Sequence, residues 1–284
     1  MKRSFLVLLL LATAQLLSGC GHIITRVANS FGNNLSSAIL NQDDPELVRA
    51  GMPSYILLLD SFLQGEENNP AVLASAATMY ASYGAVFAND PARASRLTRR
   101  ARDYADEAMC LSADYACGWR NMPYEEFAVS LGRLDAKQAD VLYTWAFASL
   151  AYIRAHSSDW NALAGIPQAT AAMTRYVEIS GPAAQPSAFN YLGILMTFRG
   201  ELGGQMDEGQ AHFEKAIAAS RGADLSAKLE YLKGVARARY DRELNDRLCN
   251  EILESSPYAD NFTLTNVMAQ EEALKLCAEA DDYF

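Results

Sequence analysis

Three Asx-Pro pairs, Asp44-Pro45, Asn69-Pro70 and Asp90-Pro91, recur at intervals of 25 and 21 residues and dictate how this chain starts to fold. A short carboxylate or amide side chain satisfies the free amides of a first helical turn, and proline at the first helical position needs no amide partner. Each pair is therefore a helix start. Apolar residues then keep helical spacing: Tyr55, Leu58, Leu59 and Phe62; Leu73, Ala76, Ala77, Tyr80, Tyr83 and Phe87; Ala94, Leu97, Ala101, Tyr104, Ala105 and Ala108. No stretch alternates apolar and polar residues as a strand would. Further helices are predicted over 122–133, 136–156, 160–178, 186–200, 206–220, 225–240, 242–255 and 262–281. Gly, Pro, Asp and Asn stand at the joints, and connections this short make neighbouring helices antiparallel. The predicted class is all-α.

An internal echo groups these helices. Ala50-Gly51-Met52-Pro53 and Ala164-Gly165-Ile166-Pro167 share one pattern 114 residues apart. In each, the proline is expected to open a helix, a second helix begins near Pro70 or Pro186, and an alanine-rich third follows over 91–110 or 206–220. Two related halves of stacked helix pairs result, an α-solenoid whose units bury their faces against their neighbours. Leu192-Gly193, between Phe189 and Met196, is similar to the first helix of a tetratricopeptide repeat, and Phe213 with Ala216 to its second, at a spacing four residues too long. Leu232 and Pro257 stand one repeat apart, with Gly234 one place out. Such repeats are degenerate.

The amino terminus predicts export. Lys2 and Arg3 precede the apolar run Phe5 to Leu11, too short for a stable membrane span. Leu17-Ser18-Gly19-Cys20 follows, and it resembles the lipobox of bacterial lipoproteins. The domain division expected is a signal peptide over 1–19, a lipidated tether over 20–43 and a helical domain over 44–284. Cys20 would carry the lipid, and several acyl chains hold far better than one because each buried methylene contributes about 0.8 kcal/mol. Gly21 rather than Asp after the anchor implies the outer membrane, with the body facing the periplasm. Along the tether Ile24, Val27, Phe31, Leu35 and Ile39 form an amphipathic stripe interrupted by Gly32, Asn33 and Asn34. It is expected to dock on the body.

Charge narrows the partners. Loss of Lys2 and Arg3 leaves 22 of the 24 basic residues against 34 acidic ones, a net charge of about −12. That balance disfavours nucleic acid, and it disfavours a general grip on anionic lipid. Four cysteines remain beyond Cys20. Cys110 and Cys117, seven apart at a helix end and in the loop beyond it, predict a short bridge. Cys249 and Cys277 fall on helices antiparallel about a turn near Pro257 to Asn261, which sets them about eight residues, or about 12 Å, out of level. A bridge and two buried thiols both stay open there. No CxxC occurs, and His22, His156 and His212 are scattered, so neither a redox motif nor a metal cage is indicated and no cofactor is expected.

A family resemblance emerges from several stretches taken in order. Asp43-Asp44-Pro45-Glu46-Leu47-Val48, Gly51-Met52-Pro53 and Ile56-Leu57-Leu58-Leu59-Asp60 open the domain. Leu202-Gly203-Gly204 and Ala211-His212-Phe213-Glu214-Lys215-Ala216 mark its later half, and Asn266, Ala269, Ala273 and Asp282-Tyr283-Phe284 its end. This order resembles the TatT proteins, the lipoprotein T component associated with TRAP transporters. The resemblance implies a tetratricopeptide-like helical lipoprotein that trimerises, carries an internal channel and works beside a periplasmic solute-binding protein feeding a TRAP permease. The cysteine loop from Cys110 to Cys117 departs from the family pattern.

No catalytic constellation is visible. His212 has no second histidine or cysteine at helical spacing and reads as structural. Gly203-Gly204 lacks the Lys-Ser/Thr of a phosphate loop and reads as a turn. The pairs Glu66-Glu67, Glu125-Glu126, Glu271-Glu272 and Asp281-Asp282 lie near helix ends or on charged faces and read as solvated surface. The aromatics remain. Tyr143 and Phe147 share one face of the 136–156 helix and Trp145 and Tyr152 another, so that helix is expected at the centre. Tyr80, Tyr83, Tyr143, Trp145, Tyr191 and Phe198 are the candidates for an apolar channel lining, with core packing as the competing role. The function expected is a non-enzymatic, lipid-anchored scaffold that partners a TRAP solute-binding protein and assists capture or transfer of a small apolar or organic-acid solute. The alternative is a structural lipoprotein of an outer-membrane assembly, with no solute.

Overall fold

The computed structural model of the chain describes residues 35–65, 69–198 and 205–284. The lipobox with Cys20, the stripe residues Ile24, Val27 and Phe31, the Glu66-Glu67 pair and Leu202-Gly203-Gly204 lie outside the described residues.

The three Asx-Pro starts behave as their chemistry dictates. Helix α1 (Pro45–Leu63) is capped by Asp44, α2 (Pro70–Val86) by Asn69 and α3 (Pro91–Ser112) by Asp90. Each side chain accepts from two amides of the turn it precedes, the Asp44 carboxylate from Glu46 and Leu47 at 3.0 and 3.1 Å. Such caps contribute about 1 kcal/mol apiece. Beyond α3 come two short 3₁₀ turns (Asp114–Ala116 and Trp119–Asn121), α4 (Tyr124–Gly132) and α5 (Ala139–Ala155). The second half holds α6 (Ile166–Ser180), α7 (Pro186–Thr197), α8 (Met206–Ala219), α9 (Leu225–Tyr231), α10 (Arg242–Leu253) and α11 (Thr263–Ala278). No strand occurs among the described residues.

Three expectations are corrected here. Pro53 does not open a helix: it lies inside α1, because the cap at Asp44 nucleates the helix nine residues earlier and the buried Val48, Met52 and Ile56 carry it through. Pro167 does stand in the first turn of its helix, and for that reason the predicted 160–178 helix is divided, with a single turn at Trp160–Leu163 before Gly165. The helix predicted to reach residue 240 changes pitch instead, since α9 runs into a π-helical segment over Leu232–Arg237.

Helices stack in sequence as antiparallel neighbours, α2 on α3, α3 on α5, α5 on α6 and α7 on α8, which is the solenoid arrangement. One continuous core runs from Val48 in α1 to Ala273 in α11. Its tightest joint lies in the second half. A Cβ on Gly193 would stand 2.6 Å from the Phe213 ring, and one on Gly209 only 2.4 Å from the Thr197 methyl, so α7 and α8 approach as closely as backbones allow. Phe213 and Ala216 are fully buried there.

Both remaining cysteine pairs are disulfides, Cys110–Cys117 and Cys249–Cys277. The second closes because the point midway between Cys249 and Cys277 is residue 263, the first residue of α11, so the reversal lies later than the middle of Pro257 to Asn261. The Gln270 amide accordingly donates to the carbonyls of Ile252 and Ser255 at 2.9 and 2.7 Å, a register that brings Cys277 beside Cys249 with Cα atoms 5.9 Å apart.

Candidate functional site

Helices α5, α6 and α7 turn aromatic side chains toward one another. Four-residue spacing places Tyr143 and Phe147 on one face of α5, and the same spacing places Ser187 and Tyr191 on one face of α7. Phe147 and Tyr191 stack with centroids 5.0 Å apart, Tyr143 lies 6.1 Å from Tyr191, and Tyr176 of α6 closes the group 5.0 Å from Tyr143. Polar tips are partly matched: the Tyr143 and Ser187 hydroxyls share a hydrogen bond at 2.8 Å, and the Gln185 amide donates to the Tyr176 hydroxyl at 3.2 Å.

Tyr143, Phe147 and Tyr191 each keep some exposed surface. Yet burial pushes the Tyr143 hydroxyl up to about 12 and raises that of Tyr191 well above its usual value. All three pack against the core while part of each side chain stays accessible, and the partly open aromatic group they form is the candidate recess. Asp224 faces it from the start of α9: its carboxyl is 2% exposed, is raised by burial, and is steadied by the hydroxyl of Ser226 and the amides of Ser226 and Ala227.

Charge is concentrated beside the recess. Both terminal nitrogens of Arg154, at the end of α5, donate to one Glu230 oxygen at 3.3 Å, and Lys233 reaches the same oxygen at 3.4 Å and Glu272 at 2.7 Å. Burial alone would raise the Glu230 carboxyl, but the two cations outweigh it and hold it below the usual carboxylate range. The cluster balances two positive against two negative groups. It adjoins the aromatic group, with Arg154 near enough to act on the Tyr191 hydroxyl.

The six candidate lining residues stand in different parts of the helical stack. Tyr143 and Tyr191 are brought together. Tyr80, Tyr83 and Trp145 are core residues, 6%, 4% and 4% exposed. Tyr80 donates to Asp60 at 2.6 Å, Tyr83 packs on Phe87, and Trp145 packs against Trp119 and Phe127 while its ring nitrogen donates to Asp106 at 2.7 Å. Their spacing marked helix faces, but those faces turn toward α1, α3 and the Trp119 loop. Phe198 lines a separate open groove of about 910 Å³ with Leu195 and Met196. Tyr176, Ser187, Arg154 and Glu230 were not singled out from sequence, although the four-residue step from Ser187 to Tyr191 echoes that from Tyr143 to Phe147.

Among the described residues no group of three or more His, Cys, Asp or Glu side chains could hold a metal ion. His212 is half-buried, with its imidazole pKa lowered by burial and by Lys215.

A model of the TRAP transporter T-component family, TAtT, matches residues 41–284, nearly the whole described chain. The chain belongs to that family. The T-component assignment connects this helical stack to TRAP transport, and it extends over every residue of the aromatic recess and its ionic rim. No curated protein matches the T-component at a significant level.

Proposed function

We propose that this T-component is a lipid-anchored, periplasm-facing partner of a TRAP solute-binding protein, and that the recess walled by Tyr143, Phe147 and Tyr191 holds the solute during capture or transfer. The observation that supports the reading is the clustering of Tyr143, Phe147, Tyr176 and Tyr191 with part of the Tyr143, Phe147 and Tyr191 rings left accessible, because a scaffold core that is fully closed leaves no aromatic surface for a solute to contact. A solute with an apolar body and a polar or carboxylate head suits the aromatic wall and the adjoining Arg154 and Glu230. The mechanism is non-enzymatic. Docking of the binding protein aligns its ligand cleft with the recess, so that solute passes without full release to water. Export with removal of residues 1–19, lipidation of Cys20, a tether over 20–43, and residence in the outer membrane belong to the same reading.

Native mass spectrometry of the protein purified from its own cells tests it. A small molecule retained at one per chain, and lost in Tyr191→Ala with the helical spectrum unchanged, is the expected result. A ligand-free protein that also forms no complex with the binding protein would leave a structural lipoprotein in its place.

A further inference from the structure

The first half of α3 carries an arginine face on an otherwise acidic molecule. Arg93, Arg96, Arg99, Arg100 and Arg102 fall within ten residues, and no acidic residue occurs from Pro91 to Arg102 in a chain of net charge −10. Helical geometry places Arg93, Arg96, Arg99 and Arg100 on one outer strip about 120° wide, and all four are exposed. The carboxylates that border the strip are already engaged, since Asp90 caps α3 and Asp103 binds Arg120.

The four guanidinium groups are held differently. Arg93 lies over the Tyr83 ring, 5.3 Å from its centroid, and Arg100 donates to the Tyr104 hydroxyl and pairs with Asp60 at 3.4 Å. Arg96 and Arg99 have no partner among the described residues. Two arginines are thus fixed by aromatic and ionic contacts with donors to spare, and two are open. Arginine presents a planar fork that grips carboxylates through paired hydrogen bonds, and a fixed fork loses less freedom on binding.

Position gives the face a use. The Ser95 hydroxyl and His156 Nε2 are 2.7 Å apart, which seats the start of α3 against the end of α5, and Arg154 stands two residues before that histidine at the rim of the recess. The strip and Arg154 therefore belong to the same pair of packed helices, α3 and α5.

We propose that this strip, centred on Arg96 and Arg99, is the docking surface for a carboxylate-rich face of the partner protein. The inference rests on the reading that the partner is a TRAP solute-binding protein. Charge complementarity selects the occupant: the remaining surface, acidic overall, repels such a face and steers it to this strip.

The test is association of the full-length protein in detergent micelles with the TRAP solute-binding protein, followed by biolayer interferometry across a series of salt concentrations. Arg96→Glu/Arg99→Glu is expected to slow association about tenfold and flatten its salt dependence. Lys137→Glu/Lys215→Glu, with the same change in net charge, should match wild type, and Arg96→Lys/Arg99→Lys should fall between. Wild-type binding that the arginine reversal leaves intact overturns the strip and spares the proposed function. Failure of the wild type to bind overturns both. A difference seen only after reconstitution into phosphatidylglycerol-containing vesicles, and absent in phosphatidylcholine, assigns the strip to lipid and overturns the proposal.

Discussion

The side-chain oxygen of Asn266 accepts the backbone amide of Leu225 at 2.8 Å across 41 positions of sequence. The other end of the same amide donates to the carbonyls of Ala223 and Pro257, at 2.8 and 3.1 Å, and the residue is fully buried. One side chain therefore fastens the start of α9, the loop before α11 and α11 itself. Asn266→Ala strands one amide and two carbonyls in a dry environment, at a cost of about 2–4 kcal/mol. Urea unfolding should show a lower midpoint with an unchanged slope. Asn266→Asp keeps the acceptor but loses both donated bonds, so no less than half of that loss should persist.

The Cys249–Cys277 bridge closes a loop of 28 residues between α10 and α11. Loop-closure entropy assigns such a bridge about 3.6 kcal/mol. Cys249→Ala/Cys277→Ala should unfold at correspondingly lower denaturant. Cys110→Ala/Cys117→Ala, whose loop spans only seven positions, should lose less.

Gly193 is fixed by the Phe213 ring. A methyl group there meets ring carbons 2.6 Å away, well inside van der Waals contact, and Phe213 has no exposed side to which it could retreat. Gly193→Ala should destabilise by about 1–3 kcal/mol through overpacking, although alanine is the better helix former. Differential scanning calorimetry would detect it, and Gly193→Ala/Phe213→Leu should recover part of the loss.

Alkaline titration reports on the recess. Burial pushes Tyr143 up to about 12, and burial together with Glu214 does the same for Tyr231, against about 10 for tyrosine in an unfolded chain. A raised folded-state pKa means that the stabilising contribution is complete below pH 10. It is lost as pH climbs from about 10 through about 12, because the unfolded chain releases those protons first. Tyrosinate absorbance should rise in two stages, the later one coinciding with loss of helical signal. Tyr143→Phe should reduce the later stage by one residue and retain the stacking with Tyr191.

Much of the fold was legible because its signals are local. Asp44, Asn69 and Asp90 each announce a helix through chemistry confined to one turn, and the all-α class follows from many such turns. Pro53 misled because a proline motif does not reveal that a cap nine residues earlier has already committed the backbone. The aromatic site was half legible. Tyr143 and Tyr191 could be chosen as aromatic residues on helix faces, but whether a face meets a neighbour or a void depends on how α5, α6 and α7 cross. Trp145, two positions from Tyr143, points to the Trp119 loop for that reason. Arg154 and Glu230 are 76 positions apart, and only the stacked fold makes them partners.

The π-helical segment between Leu232 and Arg237 has one further consequence. Each residue turns an α-helix by about 100°, and a π turn accommodates an additional residue without advancing the α-helical phase. Arg237, at the end of the segment, donates to the Leu276 carbonyl at 2.7 Å and lies over the Tyr283 ring. Straightening the segment to ordinary pitch with every residue kept would swing Arg237 about a quarter turn from the carboxyl-terminal helices, whereas losing one residue ahead of it would leave its phase unchanged. The stretch is therefore where the chain absorbs a change of length, and related sequences should place a one-residue gap here more readily than elsewhere in this helix.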